Sequence, residues 1–307
     1  MYKKIFIILF LLYWSFCNSQ DGFKINSNKN KISFPFKFIN NLIFIPIKVN
    51  GLELNFLLDT GVEETVLFGL EDSETSTFIN VEKIQLKGFG NNDYVEGLKS
   101  NNNILSCDNY IDNNHELYIV LDQNFNFSSQ IGIPVNGIIG YKFFKNYLIE
   151  TNYSKHKITI HKENPKIRKK LNTKYSGSYI NIEYNKPYLT TKINLNQKEI
   201  NTKMLIDSGS GDALWLFENQ KNKIEIPNNN FEDYLGRGFS GELFGKRAKI
   251  QKLTINKFEF NNPLTAFPDS LAISYSKIVQ DREGSIGGEI LKRFDVIYDY
   301  PNQKILY

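Results

Sequence analysis

The residues of this chain best suited to chemistry come as a pair. Phe56-Leu57-Leu58-Asp59-Thr60-Gly61 is answered, 148 positions later, by Met204-Leu205-Ile206-Asp207-Ser208-Gly209. Each copy puts an aspartate directly behind three large apolar residues, where an unpaired charge is costly. The apolar run reads as a short buried strand, and Asp-Thr/Ser-Gly as the tight turn that ends it. One Asp-Thr-Gly alone is a weak signal, because most such tripeptides are surface turns whose aspartate bonds its own backbone. Two of them suggest that each carboxylate is the other's partner. Carboxylates held a few ångströms apart cannot both ionise cheaply, so such a pair shares a proton and titrates as one unit. It would supply an acid and a base at a single point.

Bringing the two turns together requires two similar halves, and the rest of the chain repeats accordingly. Gly88-Phe89-Gly90 recurs as Gly236-Arg237-Gly238, and Gly97 as Gly245, at the same offset. Gly137-Ile138-Ile139-Gly140 is answered by Gly284-Ser285-Ile286-Gly287 at an offset of 147. After each comes a short helix-like segment, Lys142 to Tyr147 and Glu289 to Phe294, and then a strand pair. Two copies make a duplicated domain, since solenoid arrays need at least about three repeats. Elsewhere, segments such as Ile43 to Val49, Tyr118 to Leu121 and Ala248 to Ile255 carry β-branched and aromatic residues between Asn- and Gly-rich turns. Asn50-Gly51 is a good hairpin turn. Helical periodicity is confined to the pieces after Gly140 and Gly287. The expectation is an all-β chain of two small distorted barrels with a helix or two each. Their boundary falls near Glu163 to Ser178, where Pro165, Ser-Gly-Ser and a basic cluster (Lys162, Lys166, Arg168, Lys169, Lys170) suit an exposed connection.

The ordered set of Asp-Thr/Ser-Gly behind an apolar strand, a Gly-rich hairpin some thirty residues on, an apolar-apolar-Gly strand and a short helix resembles the pepsin and retropepsin superfamily of aspartic proteases. The resemblance covers both halves, essentially residues 40 to 307, and is nearest to secreted bacterial retropepsin-like proteins with both lobes in one chain. It implies the acid protease fold: two six-stranded-type barrel lobes about a pseudo-two-fold axis, with the active site at their interface. It further implies an aspartic endopeptidase, with Asp59 and Asp207 catalytic and a held water attacking the scissile carbonyl. Neither a metal nor another cofactor is expected. Thr60 and Ser208 would brace the turns against one another, while Gly61 and Gly209 let the backbone turn closely. Gly88, Phe89, Gly90 and Tyr94, with Gly236, Gly238 and Phe239, would form two flaps over the substrate. Glu63 and Glu64 stand where retropepsins carry acids that contact substrate backbone, and the second half offers Asp212; a solvated acid fits equally. Trp215 reads as core packing.

Residues 1–19 read as a signal peptide, with Lys3 and Lys4 ahead of an apolar run from Ile5 to Trp14 and cleavage after Ser19. That run is short for a bilayer span. Phe16 disfavours lipid attachment at Cys17. The expected organisation is 1–19 signal, 20–165 N-terminal lobe and 166–307 C-terminal lobe, exported to the periplasm or outside the cell. Removal of Cys17 leaves Cys107 as the only thiol, so no internal disulfide forms. The formal charge of +4 falls to about +2 without Lys3 and Lys4, which argues against nucleic-acid partners. The partner expected is a peptide or protein substrate, met by a monomer that acts as its own pseudo-dimer. His115, His156 and His161 are scattered and read as surface residues.

Val62 departs from the small residue usual after the first turn, and Ser210 occupies the same place in the second. A hydroxyl at Ser210 could donate to the nearby carboxylate, so Asp207 is expected to be the more acidic of the pair. Two rival functions fit the same residues less well. One is a catalytically silent peptide-binding or structural module on the same fold. The other is an actin-like ATPase, suggested by Asp207-Ser208-Gly209-Ser210-Gly211-Asp212 but at odds with a strand-rich chain bearing a signal peptide.

Overall fold

The computed structural model describes residues 22–70, 74, 77–78, 80–86, 94–122, 125, 127–219, 223–238, 241–269 and 282–307. The expected signal peptide and Cys17 lie outside them, as do Gly88, Phe89, Gly90 and Phe239. Among the described residues the chain is mostly strand, in three sheets. Two of these curl into partial barrels, one in each half.

Asparagine sets much of the strand pattern. Asn50 and Gly51 both have positive φ, joining Leu42–Val49 to Leu52–Leu58 with Val49 opposite Leu52. Asn196 and Gln197 do the same between Lys186–Leu195 and Lys198–Ile206, with Leu195 opposite Lys198. Two-residue turns with both φ positive match the right-handed twist of the strands they join, and asparagine tolerates that conformation best after glycine.

The first-half sheet runs Lys24–Ile25, Tyr110–Val120, Val66–Leu67, Gly137–Ile139, Leu52–Leu58, Leu42–Val49, Val95–Cys107, Val81–Leu86. Because Val95–Cys107 also pairs with Tyr110–Val120, the sheet folds back on itself. In the second half the order is Asn230–Gly238, Gly241–Lys249, Leu264–Pro268, Leu214–Leu216, Gly284–Ile286, Lys198–Ile206, Lys186–Leu195, Lys252–Ile255, Phe258–Asn261. The motif strands pair alike in both: Gly137–Ile139 lies parallel to Phe56-Leu57-Leu58, and Gly284–Ile286 parallel to Met204-Leu205-Ile206. Buried on both faces, such parallel strands read as unbroken apolar runs.

The third sheet belongs to both halves. Leu148–Asn152 pairs antiparallel with Asp295–Asp299, and Lys157–His161, Lys31–Pro35, Lys304–Leu306 and Gly177–Tyr179 extend it on either side. Glu150 faces Ile297, its own counterpart at the offset of 147, so a local two-fold passes between them. The strand pairs expected to close each half separately therefore fuse into one shared sheet.

One expectation gains detail and one needs correction. The exposed connection after Glu163 is built as a helix, Pro165–Lys174, in which Leu171 is the buried residue. Asn164 caps it by accepting from the Ile167 amide at 3.0 Å, and proline at the first helical position costs no hydrogen bond. Ile167, Leu171 and Tyr175, four apart, pack on Leu148, Ile297 and Leu306, while Lys166, Lys169 and Lys170 face out. Arg168 is held by Glu163 and Asp299. The histidines are misplaced as surface residues, for only His156 is exposed. His115 is 0 % exposed, its Nδ1 2.7 Å from Asp112 and its Nε2 2.7 Å from the Thr65 hydroxyl. His161 is buried with Nε2 2.8 Å from Glu150. Polar rings go inside when both sheet position and partners satisfy them. Cys107 is buried too, and burial pushes its thiol up to about 12, which leaves it unreactive.

Candidate active site

Each aspartate sits one residue past a buried strand and is fixed by the neighbouring parallel strand. The Asp59 amide donates to Ile139 O at 2.9 Å, and the Asp207 amide to Ile286 O at 2.9 Å. Each carboxylate then accepts from the glycine two residues on: Gly61 N to Asp59 Oδ1 at 2.7 Å, Gly209 N to Asp207 Oδ1 at 3.2 Å. The side chains are thereby turned toward one another across the boundary between halves.

The hydroxyl residues lock that approach reciprocally. Thr60 Oγ1 donates to Ile206 O at 2.6 Å and accepts from the Ser208 amide at 3.0 Å. Ser208 Oγ donates to Leu58 O at 2.8 Å and accepts from the Thr60 amide at 3.0 Å. All four bonds cross between the halves, and both side chains are buried. Glycine follows each because nothing larger fits: a Cβ on Gly209 would lie 2.2 Å from the Asp59 carboxyl carbon. A Cβ on Gly61 would lie 3.0 Å from Asp207 Oδ1 and 3.1 Å from Asp59 Oδ1, so both carboxyl oxygens converge on one point.

The two carboxyl groups influence each other's ionisation and differ in character. Burial, followed by the charge of Asp207, pushes Asp59 up to about 8. Burial also raises Asp207, but Arg282, the Gly209 amide and Lys186 pull against it. Burial and the charge of Asp207 therefore favour a proton on Asp59, while Arg282 favours the charge on Asp207. The direction matches the expected order, but its source is Arg282 rather than the Ser210 hydroxyl, since Lys186 acts on both carboxyls alike.

The departures from pattern are accommodated by backbone. Val62 fits because residue 140 is glycine, whose Cβ would lie 2.1 Å from Val62 O. In the other half Ser210 presents its carbonyl to the Gly288 amide at 2.7 Å. Glu63 accepts from Asn185 Nδ2 at 2.6 Å, a bond between the halves. Asp212 is a structural acid, accepting from Trp215 Nε1 at 2.7 Å and pairing with Arg247 at 2.7 Å. Trp215 packs on Leu235, Leu243 and Ala266.

Of the expected flap residues, Tyr94 is 59 % exposed and stands just before Val95–Cys107, the returning strand of the first hairpin. Gly236 and Gly238 lie on the second hairpin, Asn230–Gly238 with Gly241–Lys249, where Gly236 follows a bulge and Gly238 faces Gly241. The Tyr234 hydroxyl accepts from Gln130 Nε2 at 3.3 Å, so this hairpin reaches the first half.

Lys186 and Arg282 escaped the sequence reading. Lys186 is brought beside Asp207 only by strand register, since Tyr188 faces Leu205. Arg282 did leave a trace, because its counterpart at the offset of 147 is Val135. The frame around that position is the same in both halves. The Asn136 amide donates to Asn55 O at 2.8 Å, and the Glu283 amide to Lys203 O at 3.0 Å. The side chains of Asn136 and Glu283 accept from those same residues' amides at 3.1 and 2.7 Å.

No protein-family model matches this chain, and no curated protein sequence matches it.

Proposed function

We propose that this chain is an exported aspartic endopeptidase with the acid protease fold, which cleaves peptide or protein substrates with a water activated between Asp59 and Asp207. The observation that carries the reading is the convergence of two carboxyl groups on one point, each raising the cost of ionising both. Ionised Asp207 takes a proton from the water as its oxygen bonds to the substrate carbonyl carbon. Asp59 gives its proton to the carbonyl oxygen, producing a gem-diol. On collapse the C–N bond breaks, Asp207 passes its proton to the leaving nitrogen, and Asp59 recovers one from a diol hydroxyl. The pair ends as it began. Thr60, Ser208, Gly61 and Gly209 hold the geometry, and the two Gly-bearing hairpins close over the substrate to exclude water. The chain acts as a monomer, each half serving as the other's partner.

The test is digestion of denatured casein and a peptide library, with and without pepstatin, beside Asp59→Asn and Asp207→Ala. Pepstatin-sensitive cleavage that both substitutions abolish is the expected result. Binding of peptides without cleavage, indifferent to Asp59→Asn, would make the chain a peptide-binding module instead.

A further inference from the structure

The surroundings of the two aspartates are unlike each other. In the first half the strand beside Asp59 carries Leu42 and Phe44, with Phe44 opposite Leu57, and Val135 packs with Phe44, Leu57 and Phe68 in an apolar cluster. The matching positions in the second half are Lys186 and Tyr188, with Tyr188 opposite Leu205, and Arg282 beside Phe217. The Arg282 guanidinium carbon lies 5.3 Å from the Phe217 ring centre. The Phe217 amide in turn donates to Glu283 O, as the Phe68 amide does to Asn136 O. A duplicated frame thus holds valine in one copy and a guanidinium in the other.

Arg282 is 6 % exposed, and among the described residues its Nε and Nη1 have no hydrogen-bond partner. The charge is answered by Asp207 and Asp59, but buried donors left without acceptors are costly, so their position calls for a reason. Both aspartates and Lys186 lie within its electrostatic reach, and the next residue, Glu283, is pinned to Lys203 on the strand that leads into Asp207. Lys186, half-buried, adds a second positive charge on the same side.

We infer that Arg282, supported by Lys186, receives a carboxylate of the substrate, so that the site selects peptides with an apolar residue on one side of the scissile bond and an acid on the other. The inference rests on the proteolytic reading for its substrate class, but not for its binding chemistry. The acid is either an Asp or Glu side chain or the α-carboxylate of a chain end. A carboxylate would satisfy the orphaned donors with charge-assisted hydrogen bonds. An apolar group in the same place leaves those donors unmet, and an amide offers them only a neutral oxygen, a mismatch that discriminates.

The experiment is a matched peptide series in which one residue flanking an apolar position is Glu or Gln, each with a free or an amidated C-terminus. The series is assayed on wild type, Arg282→Met and Arg282→Lys. Wild type is expected to favour the acidic member by on the order of 10- to 100-fold in kcat/KM. Arg282→Met should bring that ratio near one, and Arg282→Lys should retain part of it. The internal and terminal arms tell the two sources of carboxylate apart. A ratio near one in wild type, or a ratio that survives Arg282→Met, overturns the inference; the first outcome needs no variant to fold. If wild type cleaves none of the peptides, the proteolytic reading fails, and calorimetric binding of the same series decides instead. A 10-fold preference for the acidic peptide that Arg282→Met removes then supports the carboxylate site, and equal binding refutes it.

Discussion

Replacing Asp59 with asparagine turns the raised carboxyl into a measurable slope. In the folded chain, burial and the charge of Asp207 lift Asp59 from 3.8 to about 8. Between those values the folded protein keeps a proton that the unfolded chain releases, so stability is fully present below pH 4 and declines as pH rises through about 8. One such proton corresponds to about 1.4 kcal/mol per pH unit, or roughly 3 kcal/mol between about pH 5 and pH 7.5. Asparagine has no proton to release and nearly the same shape. Asp59→Asn should therefore match wild type within about 1 kcal/mol near pH 4 and exceed it progressively as pH rises. Urea unfolding followed by tryptophan fluorescence at four pH values measures this directly. Parallel stability curves for the two proteins would show that Asp59 ionises normally, and the acid–base assignment would fall with it.

Other perturbations test neighbouring parts of the structure. Catalysis requires one proton on the pair, so kcat/KM should fall on the alkaline side near pH 8, where Asp59 ionises; a profile flat to pH 10 counts against the assignment. Thr60→Val removes the donor to Ile206 O and the acceptor of the Ser208 amide. It should cost about 2–4 kcal/mol in urea unfolding and sharply reduce kcat. Gly140→Ala sets a Cβ 2.1 Å from Val62 O, a backbone overlap that neither side can relieve; a loss of about 3–5 kcal/mol, or failure to accumulate folded protein, is expected. Burial works to raise Asp112, but the hydrogen bond and charge of His115 outweigh it and hold its carboxyl below the usual range. That stabilisation is present above the ordinary carboxylate value and lost as pH falls through the depressed one. Asp112→Asn should thus cost about 1–3 kcal/mol near pH 6, and less near pH 3, by the same unfolding measurement.

Much of the architecture was legible because it is local and said twice. The apolar runs ending in Asp59 and Asp207, the glycines at matching offsets and the Asn-Gly turn each specify backbone by sterics within a few residues. The helix Pro165–Lys174 was legible in principle, since Ile167, Leu171 and Tyr175 repeat at one turn behind a capping asparagine. The basic residues among them drew attention instead. The burial of His115 had no such signal, because it depends on Thr65, fifty positions away, as well as on nearby Asp112.

The sequence by itself determined that two like halves exist and that each carries an aspartate on a tight turn after a buried strand. Only the tertiary structure decided that the halves share one sheet, that Thr60 and Ser208 bond across the seam, and that burial lifts both carboxyls while Arg282 acts on Asp207. It alone brought Lys186 and Arg282 to one side of the pair. The physical reason is that turns and periodicities follow from sterics between near neighbours. Ionisation follows from burial and from charges only ångströms away in space, and here those charges stand 21 and 75 positions from Asp207 along the chain.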